Sequence, residues 1–243
     1  MCAPFVHFYL NRKILRRSQQ KKMKNLLKSI ANDFSHWDSK MICRAGVIAA
    51  LYAVITWLFG LGGGLAYGPF QIRPTEAFTI LPLFFPESMP ALYIGCILAN
   101  FFSSYGVHDI FLGSLATLFA AFFTYICGVV FKNHVLKVGI GGIFPIVLNA
   151  FIVPAVWILA GSTDVVYWVS VGSMALTEAV WVYALGIPLY IAVLKLRERG
   201  VKVFTSPVHV RAAAAGSSAP QTDSVQESKP GEDINKNDTQ NCG

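Results

Sequence analysis

Charge is nearly absent from the middle of this chain. Between Ala45 and Leu194 the Lys, Arg, Asp and Glu residues are Arg73, Glu76, Glu87, Asp109, Lys132, Lys137, Asp164 and Glu178, and most of the remainder is apolar. So little polar surface excludes a soluble core of that length. The stretch reads instead as several membrane spans in series. Cysteine is sparse as well: Cys2, Cys43, Cys96, Cys127 and Cys242 are scattered with no CxxC, which supports neither a disulfide framework nor a thiolate metal site. No GxxxxGK[ST] phosphate loop occurs, so the chain does not energise transport by its own ATP hydrolysis. HExxH and GxSxG are missing too, and with them the commonest zinc and serine hydrolase chemistries. No voltage-sensor arginine ladder is present, and no inverted repeat is evident. The first 44 residues are basic and polar, so no signal peptide is expected.

What is present is apolar and positively flanked. The 243 residues are 54% hydrophobic with formal net charge +7 and mean hydropathy +0.52. The cations lie outside the apolar block, where they meet lipid headgroups rather than nucleic acid. Three regions follow: a basic leader over 1–40, a six-span membrane domain over 41–195, and a polar tail over 196–243 too poor in large apolar residues to order itself.

The expected spans are Met41–Leu61, Thr75–Phe85, Pro90–Ser104, Asp109–Phe131, Val138–Ala160 and Val165–Leu194. A straight helical crossing needs about 20 residues, so the second and third fall short and read as tilted or partly sunk. Six spans place both termini on one side. That side then holds 19 of the 20 Lys and Arg residues, all but Arg73. The positive-inside rule makes it the cytoplasm. The fold class expected is an all-α membrane protein of six transmembrane helices.

This topology gathers polar residues at the outer ends of the helices. The first loop delivers Gln71, Arg73 and Glu76; the third span and its loop deliver Asn100, Ser103, Ser104, Tyr105, His108 and Asp109; the fifth loop delivers Asp164, Tyr167 and Trp168. Glu178 and Asn149 lie near mid-bilayer at about 1.5 Å of rise per residue. Each also has a plainer reading. Arg73 and Glu76, three apart, either pair with each other or face a ligand. Asp109 and Asp164 sit where helix caps belong, and His108 reads as a loop residue. Asn100 and Asn149 serve equally as interhelical glue. Trp57, Tyr67, Tyr105, Tyr167 and Trp168 fit an interfacial belt. Glu178 is the hardest to dismiss, because a carboxyl at that depth needs a partner or a proton.

Together Glu76, Asp109, Asp164 and Glu178 outweigh Arg73. A hollow walled by carboxylates and aromatics suits a flat, polar, cationic ligand. A carboxylate offers two adjacent acceptors to the N–H edge of a guanine-like ring, and an aromatic stacks on the ring. An intramembrane enzyme using Glu178, His108 and Asp109, or a stand-alone facilitator, remains an alternative at this point. On the first span, Ala45, Ala49 and Ala53 recur every four residues. Such a small-residue stripe serves packing within the bundle or docking to another membrane protein.

Several segments carry a resemblance. TyrGlyProPheGlnIleArgProThrGluAla (67–77), LeuProLeuPhePhePro (81–86), IleGlyCysIleLeuAlaAsn (94–100), AspIlePheLeuGlySerLeuAlaThrLeu (109–118), ThrGluAla around Glu178 and GlyIlePro at 186–188 resemble the QueT family over about residues 41–195. The resemblance implies the fold of a substrate-binding (S) component of an energy-coupling factor (ECF) transporter, a non-enzymatic bundle in the bacterial plasma membrane with both termini cytoplasmic. It implies as partners a transmembrane coupling subunit and two cytoplasmic ATPases, and no cofactor. The implied ligand is a queuosine precursor, a 7-deazaguanine such as its 7-aminomethyl form, with another vitamin or nucleobase as the alternative for a binding subunit of this class. Gln71, Arg73, Glu76, Asn100, Asp109 and Glu178 are the expected binding residues, and Ala45, Ala49 and Ala53 the expected docking surface.

Overall fold

The computed structural model describes residues 37–61, 66–67, 70–103, 105–161, 166–201 and 204, with isolated positions between Gln20 and Ser35. The basic doublets of the leader, the glycines at 62–64, Ser104, Asp164 and the tail beyond Phe204 lie outside the described residues. Every described element is helical. They are α1 (Ser39–Leu61), a 3-10 segment (Pro74–Leu83), α2 (Ser88–Asn100), α3 (Gly106–Val130, with a π turn over Asp109–Gly113), α4 (His134–Leu159), α5 (Tyr167–Ala184) and α6 (Gly186–Glu198).

Four stretches are long and apolar enough to cross a membrane: α1, α3, α4, and α5 with α6 taken together. They match four of the six expected spans. The second and third expected spans are helical but short. Helix α2, at 13 residues, rises only about 20 Å. The 3-10 segment has ten residues and is no lipid-facing span. Apart from half-buried Phe78, every residue from Thr75 to Met89 is buried, and the segment packs against all six α-helices. It is the centre of the bundle, and the other helices are its shell. Proline explains its geometry. Pro74 opens it and Pro82 interrupts it; a proline inside a helix removes an N–H and crowds the preceding turn.

The shell closes on this axis where side chains are missing. A Cβ on Gly128 of α3 would lie 2.8 Å from the Leu83 carbonyl oxygen, and one on Gly95 of α2 would lie 2.9 Å from that of Ala49. Glycine lets backbones approach this closely. Ala49 is therefore buried inside the bundle, while Ala45 and Ala53 beside it are half-buried. Helix α4 carries Pro145 and Pro154. Pro145 cannot donate to the carbonyl of Gly141, and Thr124 Oγ1 of α3 donates to that oxygen instead at 2.9 Å. A polar side chain from a neighbouring helix thus repairs a broken backbone bond, as a low-dielectric medium requires.

The expected single sixth helix bends at Leu185, where α5 ends and α6 begins. Pro188 sits one turn further on and cannot donate to the carbonyl of Ala184. Outside, α1 turns Val47, Leu51, Val54 and Leu58 outward, and α3 turns out Phe111 and Phe119. So continuous an exposed apolar surface belongs against hydrocarbon.

Candidate functional site

The polar residues of the interior meet where the 3-10 segment crosses α1, α4 and α5. Ten-residue 3-10 runs are uncommon, and π turns recur at functional positions. Here the first places Glu76 in its opening turn and the second contains Asp109. Glu76 is 1% exposed and Glu178 3%, and Asn149 bridges them. Its Nδ2 donates to Glu178 Oε1 at 3.1 Å and to Glu76 Oε2 at 3.4 Å. Tyr52 Oη of α1 donates to the remaining Glu76 oxygen, Oε1, at 2.9 Å. Below this pair Thr56 and Thr75 share a hydroxyl contact of 2.9 Å. Three helices and the central segment therefore converge on two carboxyl groups. Asn149 lies ten residues before the end of α4 and Glu178 eleven after the start of α5, so both sit about 15 Å from the loop joining those helices.

A second polar cluster adjoins the first. Arg73 does not turn to Glu76. Its Nε donates to the Ala66 carbonyl at 2.8 Å, a terminal nitrogen donates to Asn100 Oδ1 at 3.1 Å, and the guanidinium lies 5.2 Å from the Tyr67 ring centre. Asn100 Nδ2 donates onward to the backbone oxygen of Asp109 at 3.0 Å. The Asp109 carboxylate accepts from Ser103 Oγ at 2.5 Å. Gly113 leaves room for that carboxylate, since a Cβ there would lie 2.6 Å from Asp109 Oδ1. Asp109 lies within the helix rather than capping its start. Trp181 Nε1 of α5 donates to the Gln71 carbonyl at 3.2 Å, which fixes the chain just ahead of Arg73.

The structure buries Gln71, Arg73, Glu76, Asn100, Asp109, Asn149 and Glu178, with Glu76, Asn149 and Glu178 in one hydrogen-bonded group and Arg73, Asn100 and Asp109 in another. His108 stays exposed, and so does Trp168. Tyr105 stacks on Trp157, with ring centres 5.3 Å apart and planes 22° apart. Four buried polar atoms find no partner among the described residues: Gln71 Oε1, Asn149 Oδ1, Glu178 Oε2 and Trp157 Nε1. Three are acceptors and one is a donor. Native interiors leave few such atoms, because each costs about 1–3 kcal/mol. Among the described residues, no three His, Cys, Asp or Glu side chains converge as a metal site.

Sequence reasoning did not single out Tyr52, Trp157 or Trp181. A tyrosine in an apolar helix carries no mark of its hydroxyl's target. Glu87 was given no role from the sequence; it is buried and ion-paired with Arg44 of α1.

A helical shell with an apolar outer surface around a polar, acid-rich centre defines a multi-pass membrane protein. The chain belongs to the QueT transporter family, whose family model matches residues 42–195. It is similar to the queuosine precursor transporter QueT of Lactococcus lactis subsp. cremoris (strain MG1363), with 36% identity over 77 residues. That match covers 32% of this chain and 44% of the relative, so it spans less than half of the relative's length. No solved structure matches this chain.

Proposed function

We propose that this chain is the non-enzymatic substrate-capturing subunit of an ATP-driven ECF-type importer, and that its ligand is a queuosine precursor, a 7-deazaguanine such as the 7-aminomethyl form. Family membership supports the transport role, and the relative's name supports the ligand. The observation that carries the reading is the Glu76–Asn149–Glu178 bridge with Glu178 Oε2 left unpartnered. A carboxylate oxygen buried without a donor is costly in an apolar medium. A ligand bringing N–H groups and an ammonium supplies those donors. The other free acceptors, Gln71 Oε1 and Asn149 Oδ1, suit the same donor-rich edge.

In this reading Glu178 and Glu76 hold the base edge and the amine, while Gln71, Arg73, Asn100 and Asp109 shape the wall. All six are at most 6% exposed, so a ligand gains access by an opening of the outer loops. The membrane domain spans 41–195 as six crossings, with the 3-10 segment and α2 as the short second and third. Leader and tail are both cytoplasmic. A coupling subunit, which carries the link to two ATPases, docks on α1 through Ala45 and Ala53, with Ala49 keeping α2 close.

The test is calorimetry of 7-aminomethyl-7-deazaguanine on the purified protein. Glu178→Ala is expected to abolish binding, and unchanged affinity overturns the assignment of Glu178. Uptake by vesicles lacking any ATPase would point to a facilitator and remove the ECF partners.

A further inference from the structure

A second concave feature lies at the end of the bundle where α1 begins and α6 ends. It is a groove of about 490 Å³ between these two helices. Its walls are apolar: Val47 and Leu51 on α1, Leu189 and Val193 on α6, with Phe85 among the residues closing it. Its mouth is cationic. Lys40 and Arg44 line it, and the Arg197 guanidinium lies 5.9 Å from the centre of the Phe85 ring. Arg197 continues the Leu189 and Val193 face one turn further on, so three cations stand against Asp38 and Glu87. Glu87 is already engaged by Arg44. The mouth therefore keeps a net positive charge.

Depth and polarity agree with each other. From Lys40 to Leu51 the helix rises about 16 Å, close to one leaflet of a roughly 30 Å hydrocarbon core. The charged mouth thus lies at headgroup level and the apolar trough at acyl-chain level. Basic pockets between membrane helices at that level bind anionic lipid headgroups.

We propose that this groove binds one anionic phospholipid, its phosphate at Lys40 and Arg197 and one acyl chain along Val47 and Leu51. The net charge of the mouth selects an anionic over a zwitterionic headgroup. A helix of another protein seated here has to dehydrate Lys40, whereas a phosphate meets it in the wet interface. The lipid site shares no residue with the acid pair.

The experiment is native mass spectrometry of the full-length chain released from nanodiscs containing equal amounts of phosphatidylglycerol and phosphatidylcholine. Phosphatidylglycerol is expected to be retained in preference. The double variant Lys40→Gln/Arg197→Gln should lower that preference roughly tenfold. Leu51→Trp, at an exposed wall position, should remove retained lipid of both kinds without touching charge. Equal retention of the two lipids overturns the proposal, as does a double variant that behaves like the parent. A photo-crosslinker at Val47 in native membranes gives a lipid adduct if the proposal holds; a protein adduct overturns it.

Discussion

Replacing Glu178 with glutamine separates charge from hydrogen bonding at the polar centre. The glutamine carbonyl can keep the 3.1 Å bond from Asn149 Nδ2 that Glu178 Oε1 now accepts, so the bridge to Glu76 survives. What changes is the position of Oε2. An acceptor with no partner among the described residues becomes an NH2 donor, and the negative charge is gone. If the ligand presents an ammonium there, the variant loses one charged hydrogen bond, worth about 1.5–3 kcal/mol. That corresponds to a roughly 10- to 150-fold weaker Kd for 7-aminomethyl-7-deazaguanine. A neutral 7-deazaguanine lacking the ammonium loses only a neutral bond, about 1 kcal/mol or some fivefold. Calorimetry with both compounds on parent and variant in detergent reads the difference directly. Equal losses for the two ligands, or none for the cationic one, would falsify the assignment of Glu178 to a cation.

Other consequences follow from contacts outside the polar centre. Glu87→Ala removes the carboxylate that Arg44 pairs with in the bundle and is expected to cost about 3–5 kcal/mol. Thermal melting in detergent should show this, and Arg44→Leu/Glu87→Leu should recover most of the loss; no recovery refutes the pairing. Gly128→Ala drives a methyl into the backbone of Leu83 and should destabilise by about 1–3 kcal/mol. Gly46→Ala on the open face of α1 meets nothing within 4 Å and should be neutral or stabilising by up to about 1 kcal/mol; equal melting of the two glycine variants contradicts the packing described. Thr124→Val removes the donor to the Gly141 carbonyl and should cost about 1–3 kcal/mol, measured against Thr124→Ser, which keeps the bond.

The long helices were legible because span length and scarcity of charge are local properties. Met41–Leu61 and Val138–Ala160 differ from α1 and α4 only at their ends. The Thr75–Phe85 stretch was not, because hydropathy cannot tell a lipid-facing helix from one buried in protein; burial depends on which helices surround it. Its prolines hinted at irregular backbone without giving its place. The bend at Leu185 followed the same logic, signalled by Pro188 yet hidden inside one apolar run. For the polar centre, mid-bilayer depth singled out Glu178 and Asn149 separately. Their bond to each other and to Glu76 spans up to 73 residues of sequence, and no spacing rule reaches that far. Arg73 and Glu76 show the converse: a three-residue spacing suggests a pair, yet the irregular backbone sends Arg73 to Asn100.

The central segment is tied to α1 at two places, and this joins the polar centre to the outer surface of the bundle. Tyr52 holds Glu76, and Arg44 holds Glu87 just past the segment's other end. These two α1 residues lie eight apart, about 12 Å along one helix, so α1 runs beside the segment and is fastened near both of its ends. A ligand donor that replaced the Tyr52 hydroxyl at Glu76 Oε1, which now accepts from it at 2.9 Å, would remove one of these two ties. The Arg44–Glu87 ion pair would still hold α1 beside the segment. A 3-10 backbone yields more readily than an α-helix, because its hydrogen bonds are poorer. Under the proposed function, a ligand at Glu76 would therefore act on the same helix that carries Ala45 and Ala53.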